Sequence, residues 1–307
     1  MISLGFDTSN YTTSIASYCL DSYLNYSKLL PVKEGELGLR QSDAVFHHTQ
    51  SLPELSGRLF SNLDIRDVAC VGVSTKPRMV EGSYMPCFTV GYSHAKLLSD
   101  ALCVPLVCCS HQQGHVAAAV YSAGRQELMD QPHLAWHLSG GTTELLLVEP
   151  DGFNVRCTKI GGTTDISAGQ LIDRTGQLLD LQFPAGKYID HLSADSVRTD
   201  FFKIKCNQLN FSLSGVQNKV QQYYALHNDP AETAGYVLRC ICAAVMTVTK
   251  DAMAQYPGLP IVFSGGVASN SMLRTALKDT DAVFADPQYS RDNALGVAII
   301  AHRSLEE

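Results

Sequence analysis

The sequence has little charge, a single tryptophan and no CxxC pair. Charged residues make up 17% of its 307, against a usual share of roughly 25%. With 45% apolar residues, this composition excludes disorder and implies a packed core. The ten cysteines are scattered, mostly in apolar runs. Their spacing excludes a disulfide framework and suits buried thiols of a reducing compartment. No basic stretch precedes Lys28, and no apolar run nears the roughly 20 residues of a membrane span. A cytoplasmic location with no membrane partner is the expectation. Positive charge is also scarce: 23 Lys and Arg against 30 Asp and Glu leave a net charge of −7. A nucleic-acid role then needs a local basic patch or a basic partner.

What is present is a pattern that occurs twice. Ile2–Asp7 is an apolar run, followed by Thr8-Ser9-Asn10-Tyr11 and then Thr12–Tyr18. Leu134–Leu138 is another, followed by Ser139-Gly140-Gly141 and then Thr142–Val148. Each is a β-hairpin signal, and each is followed by further strand and helix signals. Strands are expected over Val68–Ser74, Val104–Cys109, Ile261–Phe263 and Ala282–Phe284. Helices are expected over Asp43–Phe60, Phe88–Leu102, Ala168–Leu179, Ala231–Gln255 and Asn293–Arg303. The fold class is α/β with mixed sheets, in two hairpin-first halves, 1–131 and 132–307.

Three glycine-bearing segments carry ligand chemistry: Gly5–Ser9, Ser139–Thr143 and Ser264–Asn270. Glycine lets a backbone approach a ligand, and Ser or Thr adds donors suited to phosphate. In the third, a strand and a Gly265-Gly266 turn lead into a helix expected to be capped by Ser269, an anion-favouring arrangement. Each glycine alone is explained by a tight turn; together they suggest a nucleotide or acyl-phosphate cleft. Ser110 and Gln113 form a capping-box pattern, so a helix starts there. His111 and His115 then share one face at i and i+4, spaced for a metal or as ordinary surface histidines. Asp292 and His137 are candidate further ligands. No HExxH pattern occurs, so zinc-protease chemistry is unsupported.

The ordered set is Gly5-Phe6-Asp7-Thr8-Ser9, His111-x-x-x-His115, Ser139-Gly140-Gly141-x-Thr143, Ala168–Arg174, Phe211-Ser212-Leu213-Ser214-Gly215, Gly265–Asn270 and Asp292-Asn293-Ala294. This set resembles the tRNA threonylcarbamoyladenosine transferase family, formerly called glycoproteases, over nearly the whole chain. The resemblance implies an actin/sugar-kinase/Hsp70-type fold, two ribonuclease-H-like halves with a central cleft. It implies transfer of a threonylcarbamoyl group from an acyl-adenylate to a tRNA adenosine, with partner subunits. It places one divalent metal, iron or zinc, on His111, His115 and Asp292, with His137 at a position that ligates in some members. It places substrate and nucleotide contacts on Leu138, Ser139, Gly140, Gly141, Thr142, Asp173, Gly186 and Asn270, beside Gly265 and Gly266.

The chain departs from the family pattern near its catalytic acids. Where the family has Cys-Asp-Glu, this chain has Asn10, Tyr11 and Thr12. Tyrosine, with a reference pKa of about 10, is a poor base at neutral pH. Asp7 replaces a family Glu; it and Tyr11 are the catalytic candidates. Lys76 and Arg78 stand where the family has glycine, either as an anion contact or as a solvated loop. His48 matches a family histidine, and a structural role accounts for it equally well. Three functions follow: a metal-dependent transferase, a non-catalytic nucleotide-binding partner of a true transferase, or an ATP-using enzyme with Asp7 placing Mg²⁺.

Overall fold

A computed structural model describes residues 1–9, 11–20, 22–31, 39–278, 280–286, 289 and 294–306. Contacts divide the chain into two units. Unit 1 comprises Met1–Gln131, Glu149–Cys157 and Arg291–Glu307; unit 2 comprises Pro132–Val148 and Thr158–Ser290. A single cut at 131 does not describe this division, because the C-terminal segment returns to unit 1.

In unit 1 the order is β1 (Ile2–Ser9), β2 (Thr12–Cys19), β3 (Ser22–Leu29), α1 (Gln41–Phe60), β4 (Val68–Lys76), α2 (Phe88–Leu102), β5 (Leu106–Ser110) and α3 (His111–Ser122). They build a sheet of order β3-β2-β1-β4-β5. β1 pairs antiparallel with β2, with Ser9 opposite Thr12, and parallel with β4. Successive side chains of β1 point to opposite faces. Leu4 and Phe6 join a core with Leu52, Leu55 and Leu59 of α1 and Val90 of α2. Gly5 and Asp7 take the other face. Gly5 therefore lies inside a strand and not in a ligand-binding turn.

Unit 2 contains β6 (His133–Leu138), β7 (Thr143–Asp151), β8 (Asn154–Thr163), α4 (Ala168–Leu178), α5 (Gly186–Ser193), β9 (Cys206–Asn207), β10 (Asn210–Phe211), α6 (Ser214–His227), α7 (Pro230–Gln255), β11 (Ile261–Ser264), α8 (Ser271–Leu277) and β12 (Ala282–Phe284). The sheet order is β12-β11-β6-β7-β8-β10-β9; β7 and β8 each run on past the division into unit 1. β6 is antiparallel to β7 and parallel to β11. α7 is long and apolar enough to cross a membrane by length and composition, although no uninterrupted apolar run in it approaches that length. Arg239 and Lys250 interrupt its apolar runs in the sequence. Val237, Leu238, Ile241, Val245 and Val248 are buried in the unit 2 core, so α7 is a core helix.

The last helix, α9 (Leu295–Arg303), packs in unit 1 against β1, β4 and α3. It starts two residues later than expected, and Asp292 lies outside the described residues. A side chain on Gly5 would strike Ala294 and Ala298, and one on Gly296 would strike the Gly114 carbonyl of α3. Glycine is required at both by close approach of backbones. Gly296→Leu is expected to destabilise the protein by about 1–3 kcal/mol or more. Gly57→Ala, on an open helix surface, should be neutral or stabilising by up to about 1 kcal/mol. Thermal melts of the two variants check this contrast.

Candidate functional site

The first cluster forms in unit 1 where β1, β4 and α3 meet. Asp7 is 1% exposed. Ser74 Oγ of β4 donates to Asp7 Oδ1 at 2.7 Å, and His111 Nδ1–H donates to Oδ2 at 2.7 Å. That bond fixes the His111 tautomer and puts its lone pair on Nε2. His115 is one helical turn on, and its Nε2 stands 2.9 Å from His111 Nε2. The capping box expected at Ser110 and Gln113 is formed and starts the helix at His111.

These residues fit a divalent metal. Two imidazole Nε2 atoms converge, and a buried carboxylate orients one of them. Ligand nitrogens about 2.0–2.1 Å from a tetrahedral zinc lie roughly 3.4 Å apart, so about half an ångström of opening separates the hydrogen-bonded pair from a ligating one. Among the described residues no group of three His, Cys, Asp or Glu forms a ligand set.

Neighbouring groups narrow the chemistry. The Cys87 thiol is pushed up to about 12 by burial and then by the Asp7 charge. Cys109 is raised for the same two reasons. Neither is a thiolate nucleophile near neutral pH. His48 is fully buried on α1, its Nδ1 paired with Thr13 Oγ1 at 2.8 Å. Burial, opposed by the Asp7 charge, holds it down to about 4. Tyr11 occupies the β1–β2 turn, half-buried, and its carbonyl accepts the Leu30 N–H. Lys76 ends β4 opposite Ser110, and the next carbonyl, Pro77, accepts from Gln112 in the first turn of α3.

The second cluster forms in unit 2, outside the C-terminal ends of the parallel strands β6 and β11. Ser139 N–H donates to the Thr142 carbonyl at 2.8 Å, closing the turn after Leu138. Ser167 Oγ donates to the Gly140 carbonyl at 2.6 Å and also caps α4. The N–H groups of Gly140 and Gly141 donate to no group among the described residues, and a Cβ on either would meet open space. Two adjacent open donors make an anion cradle. Gly265 sits at φ 92°, against the Leu138 carbonyl. His137, on β6, pairs with Glu144 of β7 and Ser264 of β11.

Asn270, rather than Ser269, caps α8, because Gly266–Ser269 forms a short 3-10 turn that displaces the helix start. Asn270 Oδ1 accepts from Leu273 N, and its Nδ2 donates to Asp190 Oδ1 at 2.7 Å. Asp190 also accepts from Ser271 N–H and Oγ. Asp173 accepts from Ala185 N–H at 2.8 Å, just before Gly186 begins α5; burial raises its carboxyl. Asp173, Gly186 and Asn270 are thus joined through Ala185 and Asp190. Sequence reasoning missed Asp190, although its place one turn after Gly186 was a usable signal. It also missed Asp165, which accepts from Ser212 Oγ, Leu213 N–H and Ser214 N–H and so fastens the Phe211–Gly215 motif. Burial opposes the Asp165 charge, but those donors outweigh it and hold its carboxyl low.

Comparison with solved structures gives the class. Full-length HypF in its phosphate- and nucleotide-bound form matches the whole chain at TM-score 0.62 and 12% identity, the chain spanning 47% of HypF. A ROK family glucokinase from Streptomyces griseus matches over both full lengths at TM-score 0.53 and 11% identity. The fold is therefore the α/β actin/sugar-kinase/Hsp70 type with two mixed sheets.

The family follows from sequence. The model for TsaD, tRNA N6-adenosine threonylcarbamoyltransferase, matches residues 33–299. The protein of that name from Streptococcus equi subsp. zooepidemicus (strain MGCS10565) is 32% identical over 257 residues, 78% of this chain and 72% of its own. That from Mycoplasmopsis agalactiae is 28% identical over 99% of both chains. This chain belongs to that acyltransferase family.

Neutral His48 stabilises the fold above its unfolded pKa of 6.5. That stability is lost as pH falls from 6.5 through about 4, on the order of 3 kcal/mol in all. His48→Gln is expected to flatten this part of the acid-unfolding curve, measured by denaturant titration at pH steps between these values.

Proposed function

We propose that this chain is a cytoplasmic tRNA N6-adenosine threonylcarbamoyltransferase, using one divalent iron or zinc and a threonylcarbamoyl-adenylate donor, with accessory subunits that help present the tRNA. The observation that carries this reading is the convergence of Asp7, His111 and His115. His111 and His115 would hold the metal, together with Asp292 by family resemblance. A bound metal supplies Lewis acidity toward the carbamoyl oxygen or orients the threonyl carboxylate.

The chain's own residues supply the rest. Asp7 is buried with both oxygens engaged, so it acts through His111 as a positioning residue and not as a base toward substrate. The Gly140 and Gly141 N–H groups hold the donor phosphate as its charge grows. Asp173 and the Asp190-tethered Asn270 orient the nucleoside. The adenosine amine bonds to the carbamoyl carbon while the carbon–oxygen bond to phosphate breaks. The departing nucleotide phosphate takes the amine proton. A mixed anhydride with so good a leaving group needs no strong protein base, which accommodates Tyr11 and Thr12 in place of acids. A second reading, a nucleotide-binding partner without turnover, draws on those same two residues.

With synthetic donor, tRNA and any accessory fraction, mass spectrometry of digested nucleosides should show the modified adenosine. His111→Ala should abolish it, and Asp7→Asn should lower it by roughly 10–100-fold. Nucleotide binding with no product under the same conditions would decide for the partner reading.

A further inference from the structure

The segment 194–205, between α5 and β9, is an extended strap clamped onto α7. Glu232 of α7 accepts from Ser196 Oγ at 2.6 Å, Val197 N–H at 3.0 Å and Arg198 N–H at 3.3 Å. Arg239 donates to the Asp200 carbonyl and to Ser196 Oγ, each at 3.0 Å. Phe202 N–H donates to Cys240 Sγ, and Ile204 is buried. A rigidly held segment of this kind ordinarily turns its apolar side chains inward. Here Val197, Phe201 and Phe202 are 86%, 46% and 39% exposed.

Cations interleave with these side chains. Arg198, Lys203 and Lys205 are exposed on the strap, as is Lys187 on α5. Lys219 of α6 stands over the Phe202 ring at 5.9 Å. Among the described residues, Lys187, Arg198, Lys203 and Lys205 form no ion pair. Elsewhere in this acidic chain Lys28, Lys96, Arg125, Lys159 and Arg303 are all paired with carboxylates. Of the carboxylates nearby, Asp190 is engaged by Asn270 and Ser271 and Asp200 by Tyr223, while Asp195, Asp200 and Asp251 are exposed.

We propose that this strap, with Lys187 and Lys219, is a docking surface for an unpaired RNA loop. Exposed phenyl rings stack on bases only where the bases are not already stacked, and unpaired cations neutralise phosphates. Charge complementarity selects a polyanion, and the rings select single-stranded over duplex RNA. α5 is about 12 Å long. Gly186 stands at its start and Asp190, bonded to Asn270, one turn further on, and the strap leaves from its end. That the loop belongs to the acceptor tRNA rests on the transferase reading; that the strap binds RNA does not.

The test is fluorescence anisotropy of a labelled RNA hairpin with an unpaired loop, against a blunt duplex, on the full chain at low and moderate salt. The wild type should prefer the hairpin. Lys203→Glu with Lys205→Glu should weaken hairpin binding at least about tenfold and lower the salt slope by roughly 1.4. Phe201→Ala should weaken it about tenfold with the slope unchanged, and Lys203→Arg with Lys205→Arg should bind as wild type. All variants should melt as wild type and bind the acyl-adenylate equally well. No hairpin binding by wild type, equal binding of duplex, unchanged binding by the Glu variant, or loss of self-association instead of RNA binding overturns the proposal. Hairpin binding by a wild type that never transfers, lost in the Glu variant, would keep the strap and sink the transferase reading. Full tRNA transfer by a Glu variant that binds the hairpin normally would do the reverse.

Discussion

A carboxylate buried away from water is costly unless its oxygens are answered by donors. Asp7 is answered on one side by Ser74 and on the other by His111. The layout of unit 1 serves that arrangement. Phe6 pairs with Val73 and Ser74 with Cys109, which brings Asp7 level with Ser74 and ends β5 one residue before His111. The capping box at Ser110 begins α3 at that point, so His115 falls one turn above His111. The Gly5 and Gly296 contacts let α9 lie close enough to cover the same face of the sheet.

Much of this was legible in the chain. The hairpins showed because buried strands flank short polar turns, and the His pair showed because a helix places i and i+4 together. The role of Asp7 was not legible. An acid near a glycine motif suggests a base, and only a partner 104 residues away turns it into a tether. β3 was missed because its edge position leaves Ser22–Leu29 without an alternating apolar face. The return of α9 to unit 1 was hidden because glycine packing against backbone leaves no periodic trace. Ser269 and Asn270 are both good caps, and the short 3-10 turn before α8 decided between them.

In unit 2 the same economy of polar groups recurs. Asp165, Asp173, Asp190 and Glu232 each accept from backbone, hydroxyl or amide donors of neighbouring segments. The effect is to tie down the α6 entry, the α5 entry, the α8 entry and the strap. A chain with few charges uses these carboxylates as fasteners. The open Gly140 and Gly141 donors and the strap cations, which form no ion pair among the described residues, are groups suited to phosphate.

The central claim is that Asp7 orients His111 so that two imidazoles hold one metal. X-ray absorption spectroscopy of the iron- or zinc-loaded protein tests it most directly. Two imidazole nitrogens are expected at about 2.0–2.1 Å from zinc, with one lost in His115→Ala and weaker metal binding in Asp7→Asn. A metal bound without imidazole scattering, or with affinity indifferent to Asp7, would contradict it.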